Sequence, residues 1–106
     1  VFQPHLYSRT RDFADDFASV LSEADQVILL PIYPAREIPI ESVSSEMIFK
    51  KMTTDAKTVM SKKQFIDWVE NNFNKNRNRE FGEVLVTAGA GDIDKLVPEI
   101  KNILQK

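Results

Sequence analysis

A chain of 106 residues, 42% hydrophobic and 28% charged, has the size and composition of one globular domain, able to bury somewhat over ~60% of its extended-chain surface. Its formal net charge of −2 gives no electrostatic case for nucleic acid, which is held by Lys and Arg clustered on a basic surface. Cysteine is absent, which removes disulfides and thiolate metal sites and permits a reducing compartment.

No apolar run approaches the ~20 residues of a membrane span, and no basic-apolar-small signal opens the chain. A cytoplasmic location with no nucleic-acid and no membrane partner is therefore expected. The first residues, Val1 and Phe2, read as a strand. Pro4 disfavours helix at Gln3 and has no N–H to donate to a ladder, so the strand is expected to end there in a turn. Ser8 or Thr10 is a candidate cap for the next helix, whose free N–H groups and positive end favour an anion. His5 and Arg9 flank that cap. A titratable imidazole and a permanently charged fork thus stand where a carboxylate or phosphate could rest. On position alone, a single His and a single Arg are more often a turn residue and a solvated charge.

Arg9 to Ala24 reads as helix, with Phe13, Phe17, Val20, Leu21 and Ala24 spaced along one face. Asp12, Asp15 and Asp16 suit the positive end of its dipole and read as a solvated face, since no ligand spacing or His partner supports a metal. Gln26 to Ile32 contains the run Val27-Ile28-Leu29-Leu30, the pattern of a strand covered on both faces and central in a parallel sheet. Pro31, Pro34 and Pro39 then force a stiff loop that carries Tyr33, Arg36 and Glu37. Loops beyond the carboxyl ends of parallel strands are where open α/β sheets bind ligands. The plain alternative for Arg36 and Glu37 is an exposed ion pair that contributes little.

Ser44 is the expected cap of a helix reaching Met52, with Glu46 in its first turn. Lys57 to Met60 reads as a short strand. Ser61-Lys62-Lys63-Gln64 is a capping-box pattern opening a helix that turns Phe65, Ile66, Trp68, Val69 and Phe73 inward. At that spacing Trp68 reads as a packing residue rather than a stacking platform for a base or sugar. Asn71 to Glu80 is the most polar stretch and is expected to be a surface loop. Its Lys75, Arg77 and Arg79 are too few and too interspersed with Asn to hold a phosphate backbone.

Glu83 to Ala88 is expected to be a strand entering the turn Gly89-Ala90-Gly91-Asp92. Asp92 is a plausible cap for a helix bearing Leu96, Val97, Ile100, Ile103 and Leu104. Pro98 requires that helix either to start late or to kink. The turn lacks the Gly-Lys-Ser/Thr of a P-loop, and Asp94 stands where a dinucleotide fingerprint has its third glycine. The alternation of apolar strands with helices long enough for right-handed crossovers predicts an α/β layered domain with a mostly parallel sheet.

Three stretches, in order, carry a resemblance: Phe2-Gln3-Pro4-His5-Leu6-Tyr7-Ser8-Arg9-Thr10-Arg11-Asp12, Ile32-Tyr33-Pro34-Ala35-Arg36-Glu37 with Pro39, and Thr87-Ala88-Gly89-Ala90-Gly91-Asp92-Ile93. Together they resemble the C-terminal domain of the Mur ligases of peptidoglycan synthesis. The resemblance implies a Rossmann-like layered domain. In the family it begins one strand and helix earlier, so residues 1–106 read as part of a longer protein with an unpaired sheet edge.

What the resemblance implies about chemistry is an amide ligase that joins L-alanine to UDP-N-acetylmuramate. ATP and Mg2+ are expected for the full-length enzyme, with the ATP-binding loop, metal ligands and catalytic residues in its central domain and none in this chain. The expected partners are the missing N-terminal and central domains and the two substrates. The C-terminal domain closes over the site, and by position His5, Arg9, Arg36 and Glu37 are the expected substrate-binding residues, with Arg9 on the L-alanine carboxylate. Leu6 stands where many members have Arg, and Pro31 where Asp is frequent. The alternatives are a Mur-type ligase for another amino acid or peptide, and a non-catalytic α/β binding module.

Overall fold

Strand β2 (Val27–Leu29) is buried at every position. The computed structural model that shows this describes residues 1–77 and 80–105; Arg79 lies outside the described residues. Val27 and Leu29 pack with Ala14, Ala18, Ile48 and Met52. Ile28 and Leu30 pack with Phe65, Val69, Ile93, Ile100 and Ile103. The period-2 alternation of a strand thus divides one apolar run between two cores, one on each face of the sheet.

The sheet order is β3-β2-β1-β4, with β1 at Phe2–Gln3, β3 at Lys57–Val59 and β4 at Ala88–Gly89. Every pairing is parallel. Helices α1 (Tyr7–Leu21) and α2 (Ser45–Lys51) supply one core. Helix α3 (Lys62–Trp68), its π-helical continuation Val69–Phe73 and α4 (Val97–Leu104) supply the other. This is the layered α/β architecture that the alternation predicts, with β2 inside the sheet. The chain adds β2 and β3 on one side of β1 and returns to add β4 on the other. That reversal is a topological switch point, where an open α/β sheet offers a crevice beyond its strand ends.

Local chemistry accounts for the helix ends. Ser61 Oγ accepts from Gln64 N at 3.1 Å while Gln64 Oε1 accepts from Ser61 N at 2.8 Å, both halves of a capping box. Ser44 Oγ accepts from Glu46 N at 3.2 Å. Lys57 Nζ donates to Phe49 O at 2.9 Å and Met52 O at 3.0 Å, a cation at the carbonyl end of α2.

Several expectations are corrected. Helix α1 begins at Tyr7 and ends at Leu21, and it buries Thr10, Ala14 and Ala18. Phe13 and Val20 are 50% and 68% exposed, and Ala24 lies past the helix end, also exposed. The small Ala14 and Ala18 let α1 approach β2 and α2 closely, which the bulkier residues could not do. Phe13 leaves helical geometry at φ −116°, ψ 15°. Strand β1 ends at Gln3, as expected, and beyond Pro4 one isolated parallel bridge joins His5 to Tyr33: Tyr33 N donates to Pro4 O at 2.8 Å and Leu6 N to Tyr33 O at 2.9 Å. The ladder uses only the carbonyl of the proline, so its missing N–H costs nothing.

Asn71 and Asn72 are not loop. The π-helical turn carries the helix to Phe73, and Asn74 N closes it on Val69 O at 2.8 Å. Glu83 to Thr87 form no strand; the paired residues of β4 are Ala88 and Gly89, opposite Phe2 and Gln3. Val84 and Val86 are consequently 86% and 60% exposed. Pro98 sits in the first turn of α4, where a missing N–H has no partner to lose, so the helix starts late rather than kinking. Asp92 does not cap it by a side-chain hydrogen bond; it opens a 3-10 turn, Asp92–Leu96, that precedes α4.

Candidate functional site

At the switch point Gln3 is almost wholly buried. A buried amide must be paired on both sides, and this one is: Nε2 donates to Asp92 Oδ1 at 2.8 Å and Oε1 accepts from Ile93 N at 2.9 Å. The other oxygen of Asp92 forms an ion pair with Lys62 at the start of α3. The Lys62 contact first, and then the Gln3 amide, hold the Asp92 carboxyl below the ordinary aspartate range.

The glycines of the turn serve this closure. Gly89 has φ +146°, and a Cβ there would stand 2.6 Å from Gln3 O. A Cβ on Gly91 would stand 2.5 Å from both Gln3 Oε1 and Tyr33 Cβ. The space that a phosphate-binding turn leaves open is filled here by the chain's own side chains. Among the described residues no three His, Asp or Glu side chains gather as metal ligands.

Beside the turn, His5 stacks on Tyr33 with ring centroids 5.7 Å apart and an interplanar angle of 16°. Parallel bridging of the same two residues extends the sheet past Pro4. His5 Nδ1 is buried and has no hydrogen-bond partner among the described residues.

One turn further on, the start of α1 departs from expectation. Neither Ser8 nor Thr10 is the cap. Leu6 holds the cap position at φ 66° and has no side-chain acceptor to offer. Thr10 Oγ1 donates back to Leu6 O at 2.8 Å. The anion at the helix end is Glu37: Ser8 N donates to Glu37 Oε1 at 3.1 Å, and the Ser8 hydroxyl donates to Oε2. The Ser8 hydroxyl is the main reason that the Glu37 carboxyl lies below its ordinary range, with Arg11 adding a smaller attraction. Arg11 itself pairs with Asp12 at 2.9 Å.

Of the four expected binding residues, the fold brings His5, Arg9 and Glu37 to the carboxyl end of the sheet on adjoining segments. Arg9 is exposed and forms no hydrogen bond or ion pair with the described residues. Arg36 is exposed as well and does not pair with Glu37, because the Glu37 carboxylate turns to α1. Sequence reasoning missed Gln3, Ser8 as a partner of Glu37, and Lys62 with Asp92. A signal for the first was available: a glutamine beside Phe2 in an apolar strand needs a buried partner.

No protein-family profile matches the chain. Curated proteins do. UDP-N-acetylmuramate–L-alanine ligase of Parabacteroides distasonis is 51% identical over 106 residues, covering 100% of this chain and 21% of that protein. The protein of that name from Flavobacterium johnsoniae is 43% identical over 106 residues, and that from Porphyromonas gingivalis 47% over 105. Over its whole length this chain is similar to one segment of proteins of that name. It spans about a fifth of the length of these ligase relatives, 21–22% of each. Their alignment covers the strand ends, the Pro-rich loop and the glycine turn together, so the site described here lies wholly within the shared segment.

Proposed function

We propose that the full-length protein containing this chain is a ligase that joins L-alanine to UDP-N-acetylmuramate in peptidoglycan synthesis, and that this domain positions the amino acid. The observation that carries the reading is the similarity of the whole chain to a segment of ligases of that name, 51% identical in one case and 43% in another. In this reading ATP supplies the phosphoryl group that activates the lactyl carboxylate and Mg2+ disperses its charge, both held by other parts of the protein. The location is the cytoplasm. Among the described residues no helix is long and apolar enough to cross a membrane.

The amine of L-alanine attacks the acyl phosphate, the amide bond forms and phosphate leaves. This domain's share is geometric. Arg9, exposed and unpaired among the described residues, holds the L-alanine carboxylate through its guanidinium fork and keeps the amine at attacking distance. His5, stacked on Tyr33, borders the same site, and Arg36 lies at the rim.

The test is phosphate release by the full-length protein with ATP, magnesium and UDP-N-acetylmuramate, comparing L-alanine with glycine, L-serine and D-glutamate. Release that depends on L-alanine is the expected result. Release that depends on a different amino acid makes the protein another Mur-type ligase, and release with none of them overturns the reading.

A further inference from the structure

We propose that Glu37 and Ser8 form a positioning pair, in which Glu37 sets the first turn of α1 and the guanidinium of Arg9 upon it, and does not itself touch the amino acid. The proposal rests on the function given above for Arg9, and it replaces the expectation that Glu37 binds substrate directly.

The first turn of α1 has no cap of its own. Leu6 offers no side-chain acceptor, and its φ of 66° is unusual for a residue with a Cβ. A helix start of this kind leaves N–H groups exposed at the positive end of the dipole. Glu37, 29 residues away in sequence, answers both needs, with one carboxylate oxygen on the Ser8 N–H and the other on its hydroxyl. Each oxygen accepts from Ser8, which turns the carboxylate toward the helix end.

Glu37 is itself held in place. Its N–H donates to Pro34 O at 2.9 Å, and Tyr33, at the head of the same loop, is tied to Pro4 and Leu6 by backbone hydrogen bonds of 2.8 and 2.9 Å. Pro34 and Pro39 restrict the backbone on either side. A rigid loop therefore presents one carboxylate to one helix end, and Arg9 is the next residue along that helix. With the helix end filled, an incoming carboxylate is repelled from the N–H groups and is left the guanidinium of Arg9. Glu37 thus fixes where the amino acid can be held.

Glu37→Ala, Glu37→Gln and Ser8→Ala in the full-length protein test this. Expected for Glu37→Ala is a rise of about tenfold in KM for L-alanine, with kcat and the KM for ATP changed less than about twofold. Glu37→Gln keeps an oxygen that accepts from Ser8 and should return KM to within roughly threefold of the unsubstituted protein. Ser8→Ala removes one of the two bonds and should fall between them. Were Glu37 a substrate ligand, Glu37→Gln would be as damaging as Glu37→Ala and Ser8→Ala would be silent, and that pattern overturns the proposal.

A second measurement does not depend on the ligase reading. Hydrogen exchange at the Ser8 amide should accelerate at least about tenfold in Glu37→Ala and remain slow in Glu37→Gln. Unchanged exchange in Glu37→Ala overturns the pair. If the unsubstituted protein shows no L-alanine-dependent activity, the ligase reading falls, while this exchange measurement still decides whether Glu37 organises the helix.

Discussion

Gln3 and Asp92 join the carboxyl end of β1 to the turn after β4 through a 2.8 Å hydrogen bond between residues 89 apart in sequence. The same Gln3 amide receives Ile93 N at 2.9 Å, so one buried side chain organises the whole return of the chain to the sheet. Gln3→Ala leaves an empty space together with an unpaired carboxylate oxygen and an unpaired N–H. A loss of about 2–4 kcal/mol in unfolding free energy is expected, measured by chemical denaturation. A change below ~0.5 kcal/mol would mean that water replaces the amide without cost.

Substitution of the glycines separates close approach from mere flexibility. Gly91→Ala drives a Cβ to 2.5 Å from Gln3 Oε1 and Tyr33 Cβ. It should destabilise by about 2 kcal/mol or more and disturb the His5–Tyr33 stack. Gly82→Ala meets nothing within 4 Å and should stay within about ±0.5 kcal/mol. Thermal melts of the two variants, side by side, test the assignment.

Acid should weaken the switch point before the cores. The Asp92 carboxyl is lowered from its ordinary value of 3.8, by Lys62 first and Gln3 second. A carboxyl lowered in the folded state contributes stability above its unfolded pKa, and loses it as pH falls through the lowered folded value. The folded protein is therefore expected to lose stability as pH falls below about 4. In Lys62→Met the loss should be smaller, because less of the shift remains to be removed. Lys62 is partly exposed, 41% at its side chain, so salt should reduce the difference between the two proteins. Denaturation between pH 6 and pH 3 at two salt concentrations measures this.

Arg9 offers the most direct kinetic test. Arg9→Ala in the full-length protein should raise the L-alanine requirement by roughly tenfold to a hundredfold and slow ligation, with no change in the melting curve, since Arg9 is exposed and unpaired here. Arg36→Ala, at the rim, should change KM for L-alanine much less. Equal effects of the two would mean that the loop, rather than the helix, carries the carboxylate contact.

The parts of the fold legible in the sequence are those that local chemistry decides. Val27-Ile28-Leu29-Leu30 announced a strand buried on both faces, and Ser61 with Gln64 announced a capping box that forms in full. What local chemistry could not supply was the choice between faces of α1. Phe13 and Val20 look more apolar than Ala14 and Ala18, yet close packing of α1 selects the smaller pair. Of the strand expected at 83–88 only Ala88 pairs, with Gly89 beyond it, and propensity alone does not tell which residues find a partner. At the site, His5, Arg9 and Glu37 were visible as residue types near turns. That Glu37 caps α1, and that Gln3, Lys62 and Asp92 form one chain of contacts, required the three-dimensional return of distant segments.

The reversal of strand order also sets a sequence of events in time. Strands β1, β2 and β3 can assemble from successive stretches, whereas the contacts of β1 with the segment around β4 join residues 85 to 90 apart. Distant pairings of this kind form slowly and only after the intervening chain has ordered. The three-stranded half is thus expected to be the nucleus, with β4 docking last. In pulse-labelled refolding the Ala88 amide, bonded to Val1 O at 2.9 Å, should gain protection after the Met60 amide, bonded to Leu29 O at 2.9 Å. The crevice that holds His5 and Gln3 would then be completed only when the segment around β4 has docked.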